Sequence, residues 1–177
     1  TALTWDGTAR LETRLPELLC VEPSAYVTAV LRCWMISAVA RAMRPGSKVD
    51  TMLILEGKQG VGKSTALATL ASRPWFLDNL ADIGSGKTAE AQLRGKWIVE
   101  VAELDAMNKA EATRVKAFLT REKDNWRPLY QSANKDHPRS CVFAGSTNED
   151  RYLRDATGAR RFWPVKVQSM VDIAGLG

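Results

Sequence analysis

Two kinds of apolar stretch alternate along the chain. Within AYVTAVLRCWMISAVARAM, residues 25–43, the positions Val27, Val30, Leu31, Trp34, Ala38 and Val39 recur at helical spacing and predict an amphipathic helix. RPGSK, 44–48, is a turn that ends it. TMLILEG, 51–57, and KWIVEVAEL, 96–104, are short apolar runs of the kind that form buried parallel strands. Helices are predicted over 63–71, over 87–95 and over 108–122, the last with Val115, Phe118 and Leu119 on one face. RPWFLDNLAD, 73–82, is a mixed segment with room for a short strand. Residues 126–148 read as strand, polar turn, strand, and RFWPVKV, 161–167, as a last strand. Strands alternating with helices predict an α/β layer with a mainly parallel sheet. A helical region over 1–48 precedes a core over 49–177, the two expected to form one compact unit.

Composition narrows the class. With 177 residues, 45% hydrophobic and 25% charged, the chain can bury a sizeable core. A net charge of +5 is compatible with a polyanionic partner. Cys20, Cys33 and Cys141 are odd in number and form no C-x-x-C pair, which favours a reducing, cytoplasmic setting over a disulfide scaffold. The single histidine, His137, excludes a multi-histidine metal site. TALTWDGTAR has no signal-peptide pattern, and Arg32 and Arg41 interrupt the longest apolar run, so no membrane span is expected.

Two glycine-rich stretches compete as phosphate cradles. Gly57-Lys58-Gln59-Gly60-Val61-Gly62-Lys63-Ser64 matches every fixed position of G-x-x-x-x-G-K-[ST], between an apolar strand and a helix. Glycines let backbone N–H groups converge on phosphate oxygens, and the helix N-terminus adds its dipole. The cradle expected for ATP is 57–65, ending at Thr65. Lys63 is placed to reach the β- and γ-phosphates, and the Ser64 hydroxyl to ligate Mg2+. GSGKT, 84–88, has Ala81 where the first glycine belongs, and no clean strand leads into it. Ser85 there reads as the cap of the helix that starts near Lys87. The rival reading is a functional loop with Lys87 touching a neighbouring subunit or a nucleic acid.

Phosphoryl-transfer enzymes of this kind need an acid at the end of a neighbouring strand. KWIVEVAELD supplies Glu100, Glu103 and Asp105. Glu103, where the apolar run ends, is the first choice for catalysis and metal binding. Glu100 lies about 10 Å back along the strand, where an acid needs a partner and has either a structural or a site role. Asn148 ends the run SCVFAGSTN and is a candidate to position water or to contact the γ-phosphate. Arg160 and Arg161 precede the last strand. Either a guanidinium that stabilises the transferring phosphoryl group or a surface ion pair fits them.

WDGTARLE, PGSKVD, LEGKQGVGKST, LRGKWIVEVAEL, VKAFLTREKDNWRPLY, VFAGSTNEDRYLRD and TGARRFWPV together resemble the virulence-associated protein E family. That family occurs in bacteriophages, prophages and mobile genomic islands. It is related to superfamily 3 helicases and poxvirus-type primase-helicases within the AAA+ group. The resemblance runs from about Trp5 to Val167. It implies a three-layer α/β/α P-loop NTPase fold and a magnesium-dependent ATPase tied to DNA replication of a mobile element. It also implies single-stranded or forked DNA as partner, a ring assembly with a hexamer favoured, and an associated primase, although no primase motif is present in these residues. By position, Glu103 fits the Walker B acid with Glu100 its companion, and Asn148 fits sensor 1. Arg160 and Arg161 fit paired arginines acting on an adjacent subunit's ATP. The Walker B stretch departs from the usual Asp-Glu ending, which leaves open which glutamate activates water. In such helicases a hairpin before sensor 1 grips one DNA strand. Here that position is YQSANKDHPRS, 130–140, with Lys135, His137 and Arg139 at its tip, against the alternative of a solvated turn. Trp126 and Tyr130 are candidates to stack on bases or to belong to the core. A nucleotide-gated module that recruits a primase or other partner, with slow hydrolysis, is the rival function. A small-molecule kinase is weaker, since no acceptor-binding pattern stands out.

Overall fold

The computed structural model describes residues 4–78, 80, 83, 87–102, 104, 109–127, 133–148 and 159–176. Helices α1 (Arg14–Leu18) and α2 (Ala25–Met43) lead into strand β1 (Met52–Glu56) and helix α3 (Lys63–Ala71). There follow β2 (Phe76–Leu77), α4 (Lys87–Gln92), β3 (Ile98–Val101) and α5 (Lys109–Leu119). The chain then forms β4 (Lys123–Trp126), β5 (Lys135–Pro138), β6 (Val142–Thr147), β7 (Phe162–Lys166) and α6 (Ile173–Leu176).

Five strands make one sheet in the order β2-β3-β6-β1-β7, and every ladder in it is parallel. Parallel strands must be covered on both faces, and alternation along each strand divides the core accordingly. Leu53, Leu55, Ile98, Val142 and Ala144 pack with Leu31, Trp34 and Ala38 of α2 and with Ala66 and Leu67 of α3. Met52, Ile54, Val99, Val101 and Phe143 pack with Ala89 of α4 and with Val115, Phe118 and Leu119 of α5. The result is helix, sheet and helix in three layers. β4 and β5 form a separate antiparallel ribbon.

Helix α2 is long and apolar enough to cross a membrane by length and composition. One face of it packs on the sheet, while Tyr26, Ile36, Val39 and Met43 are exposed. Trp34 Nε1 donates to Phe143 O at 2.9 Å from a fully buried position. Two details of its face depart from expectation: Val39 is exposed and Arg41 is fully buried. Arg41 faces the carbonyls of a turn and a strand entry, donating to Ser47 O (3.1 Å), Val49 O (2.9 Å) and Cys141 O (2.8 Å). Burial lowers its pKa to about 10, so it stays charged at neutral pH. The Cys141 thiol, also buried, is pushed up to about 12 and is a poor nucleophile.

Strand β3 is shorter than the 96–104 run, and β4 begins at Lys123, ahead of the strand expected from 126. Ribbon strands β4 and β5 are polar (KDNW and KDHP), so they carry no hydrophobic alternation to read.

The segment after β7 returns to the first turns of the chain. Val21 bridges Val167, Gln168 N donates to Cys20 O (2.9 Å) and Asp172 N to Leu18 O (2.9 Å). The Cys20 thiol donates to Met170 O at 2.9 Å. This segment also underlies the loop that follows β1, since Val171 N donates to Val61 O at 3.0 Å.

Candidate functional site

The loop 57–62 leaves the carboxyl end of the interior strand β1, where α/β sheets place their ligands. Gly57 N donates to Thr147 O at 3.2 Å, which pins the loop's start to the end of β6. Gly57 has φ +152°, and a Cβ there would lie 2.7 Å from Val167 O. Gly57→Ala is therefore expected to cost about 1–3 kcal/mol, read as a lowered midpoint in urea unfolding. Gly62 is the N-cap of α3 in the left-handed region (φ +93°) and supplies no side-chain cap. The first N–H groups of α3 have no intrahelical partner, and without a side-chain cap they face the loop's concavity.

Lys63, only 7% exposed, turns back over this loop. Its Nζ donates to Gly57 O (2.6 Å), Lys58 O (2.9 Å) and Asn148 Oδ1 (3.1 Å). Asn148 is exposed and immediately follows β6. Ser64 Oγ donates to Glu100 Oε1 at 2.7 Å. Glu100 sits within β3, fully buried, and its Oε2 has no hydrogen-bond partner among the described residues. The parity of β3 explains the aim. Ile98, two residues earlier, packs in the cluster that holds α3, so Glu100 points to the same layer. Lys63, Ser64, Glu100 and Asn148 thus converge from α3, β3 and the end of β6.

Not every candidate residue joins them. Glu103 lies outside the described residues, as do Gly84, Ser85 and Gly86 of GSGKT, although α4 does begin at Lys87. Arg160 and Arg161 form a single turn of 3-10 helix before β7. Phe162 of β7 pairs with Met52, so the arginines enter at the sheet edge where β1 begins. Four strand steps, roughly 13 Å, separate that edge from the loop after Glu56. Arg160 is exposed, whereas Arg161 is half-buried with an Nε that has no partner among the described residues.

The ribbon corrects the expected hairpin. Lys135 and His137 lie within β5 and Arg139 just after it, running from the tip side towards the base rather than forming the tip. Lys135 is exposed, but His137 is stacked on Trp126 with centroids 4.0 Å apart. Arg139 is 2% exposed and is not available to a phosphate. Its guanidinium pairs with both carboxylate oxygens of Asp124, donates to Phe118 O at 2.7 Å, and lies over the Phe118 ring. A carboxylate and a carbonyl on hand in a dry site hold the cation better than a solvated phosphate would.

Sequence reasoning missed the support beneath the loop. Val167 and Val171 hold its back through Val167 O and Val171 N. These contacts use backbone atoms of an irregular segment, which leave no periodic trace in the sequence.

Three solved structures of the NrS-1 C-terminal region share this fold. Its A-form apo structure, in two determinations, matches with TM-scores of 0.62 and 0.64, identities of 20% and 21%, and 88% of this chain covered. A further apo structure gives a TM-score of 0.59 at 21% identity over 92% of this chain. The chain spans 37–39% of the length of those chains. No curated protein matches the sequence. The profile of the virulence-associated protein E-like domain matches residues 1–177, so the chain belongs to the virulence-associated protein E-like domain family.

Proposed function

We propose that this chain is the P-loop ATPase unit of a protein that acts on DNA during replication of a phage or mobile element. The observation that carries the reading is the Ser64–Glu100 contact beside Lys63. A hydroxyl and a buried carboxylate with one unpartnered oxygen form an all-oxygen donor set that suits magnesium. When bound, the ion neutralises charge on the phosphates of ATP. The chain's residues have separate tasks. The loop 57–62 and the first N–H groups of α3 bind phosphate oxygens, with the cradle continuing to Thr65. Lys63 exchanges its loop carbonyls for the β- and γ-phosphates, and Asn148, already on Lys63, orients the attacking water. Because it meets Ser64, we assign Glu100 the Walker B position that the resemblance gave to Glu103, and Glu103 becomes the candidate base. Arg160 and Arg161 lie away from this chain's own loop, and we assign them to a neighbouring subunit's ATP in a ring assembly.

The test is ATP hydrolysis by the chain with magnesium, with and without single-stranded DNA, alongside its mass in solution with ATP. DNA-stimulated turnover by an assembly supports the reading. Failure of the chain and of a longer native form to hydrolyse ATP would sink it. Glu100→Gln keeps the shape and removes the charge, and is expected to lower turnover by roughly 10²–10³-fold, measured at saturating ATP across a magnesium titration. Mixing Lys63→Ala subunits with Arg161→Ala subunits tests the arginine role, because recovered activity requires an arginine acting between subunits.

A further inference from the structure

The ribbon face that holds Arg139 has an unused half. Residues directly opposite on antiparallel strands share a face, as do positions i and i+2. Trp126 is opposite Lys135, and Asp124 is opposite His137. One face therefore reads, from the outer end inwards, Lys135 and Trp126, then His137 and Asp124, then Arg139. The inner end is an anchor, the buried Arg139–Asp124 pair. The outer end is a platform, with Trp126 stacked on His137 at an interplanar angle of 16°. The other wall is α4 and the turn after it. Glu90 holds that wall to the ribbon, accepting from Arg121 and, at 3.1 Å, from Asn125 N.

Between the two walls lies a cavity of about 370 Å³, lined among others by Leu93, Arg94, Trp126, His137 and Ser140. That is within the lower range of small-molecule sites, roughly 300–1,000 Å³. Arg94 is exposed, and its guanidinium carbon stands 5.8 Å from the Trp126 ring centre. A flat ring inserted between them needs two van der Waals spacings, about 7 Å. An opening of roughly 1 Å by a long exposed side chain supplies that. A planar ligand fits the gap between Trp126 and Arg94, and Lys135, opposite Trp126 in the ladder, stands beside the platform for an anionic group attached to it.

We propose that this cavity takes one unstacked base of single-stranded DNA, stacked on Trp126 beneath Arg94, with Lys135 meeting the adjoining phosphate. The proposal rests on the DNA-acting reading above and names where that strand is held. The stack binds any base, because every base offers a flat π-face. Trp126 and Arg94 thus grip without reading sequence, and Lys135 adds the charge term.

The test compares a labelled oligo(dT) of about 20 nucleotides with an abasic strand of the same length and charge, by anisotropy on the whole chain. The unmodified protein is expected to favour oligo(dT) by roughly 5- to 100-fold. Trp126→Ala should bring the ratio near one with abasic binding unchanged, and Trp126→Phe should retain most of the preference. Lys135→Ala should weaken both strands alike and lower the salt slope by about one. A ratio near one in the unmodified protein overturns the pocket but leaves DNA binding standing. A preference that survives in folded Trp126→Ala also overturns it. No binding to either strand overturns the DNA reading and the pocket with it. If Trp126→Ala melts early, the exposed Arg94→Ala variant decides: a reduced ratio supports the pocket and an unchanged one overturns it.

Discussion

Lys63→Ala is expected to reduce ATP turnover by roughly 10²–10³-fold, the usual cost of removing one preorganised group that stabilises transition-state charge. The same ammonium also has a structural task. It is tied to Gly57 O, Lys58 O and Asn148 Oδ1, so its loss frees two loop carbonyls and Asn148 together. Hydrogen bonds from a charged donor are worth about 1.5–3 kcal/mol, and the variant should be less stable by about that much. The two effects separate by measurement. Thermal melts read the loop's loss, and single-turnover hydrolysis at saturating ATP reads the catalytic one. Lys63→Arg keeps the charge, but a planar five-donor guanidinium does not fit a point-charge site. It should restore much of the stability and little of the rate. Full activity in Lys63→Ala would refute the ATPase reading at its centre.

Arg139→Ala should cost about 3–5 kcal/mol, because it leaves Asp124 charged and buried without its partner. For a chain of this size that is a drop in Tm of roughly 6–20 °C. The double variant Arg139→Met, Asp124→Leu should lose less than either single change, since removing both charges removes the uncompensated one. Calorimetry of the three proteins reads the coupling directly. A phosphate-binding arginine would behave in the opposite way, with an unchanged melt and a flatter salt dependence of DNA affinity. Near-wild-type stability of Arg139→Ala together with a flatter salt dependence of DNA affinity would reinstate it as a DNA contact.

These two residues also mark how far the sequence is legible. Lys63 stands in a spacing that specifies local geometry, and helix α3 occupies the predicted 63–71. Helix α2 likewise occupies 25–43, because its buried positions repeat every turn. Burial of cations was not legible. Arg41 and Arg139 are held by carbonyls and a carboxylate contributed by distant segments, and no periodic pattern encodes such partners. The Ser64–Glu100 contact was half legible. Glu100 stood out as an acid in an apolar run, but placing it against Ser64 needs the strand's parity and the layer that α3 occupies. The ribbon was misplaced because its strands are short and mostly polar, with no apolar alternation. Helices α1 and α6, of five and four residues, are too short for a helical period to register.

The order of the sheet has a consequence for how the chain comes into being. β1 carries the glycine-rich loop, yet both of its neighbours, β6 and β7, come from the far end of the sequence. β1 ends at Glu56 and β6 begins at Val142, so 85 residues separate the loop's own strand from the nearer of its neighbours. The loop's underlay arrives later still, with Val167 and Val171. A nascent chain emerging from the ribosome therefore displays the complete glycine motif long before anything holds it in shape. Non-local pairing of this kind slows folding. Under the function proposed above, it also makes nucleotide binding a report on completion, since a ligand that binds the finished loop stabilises only chains whose final strands are in place.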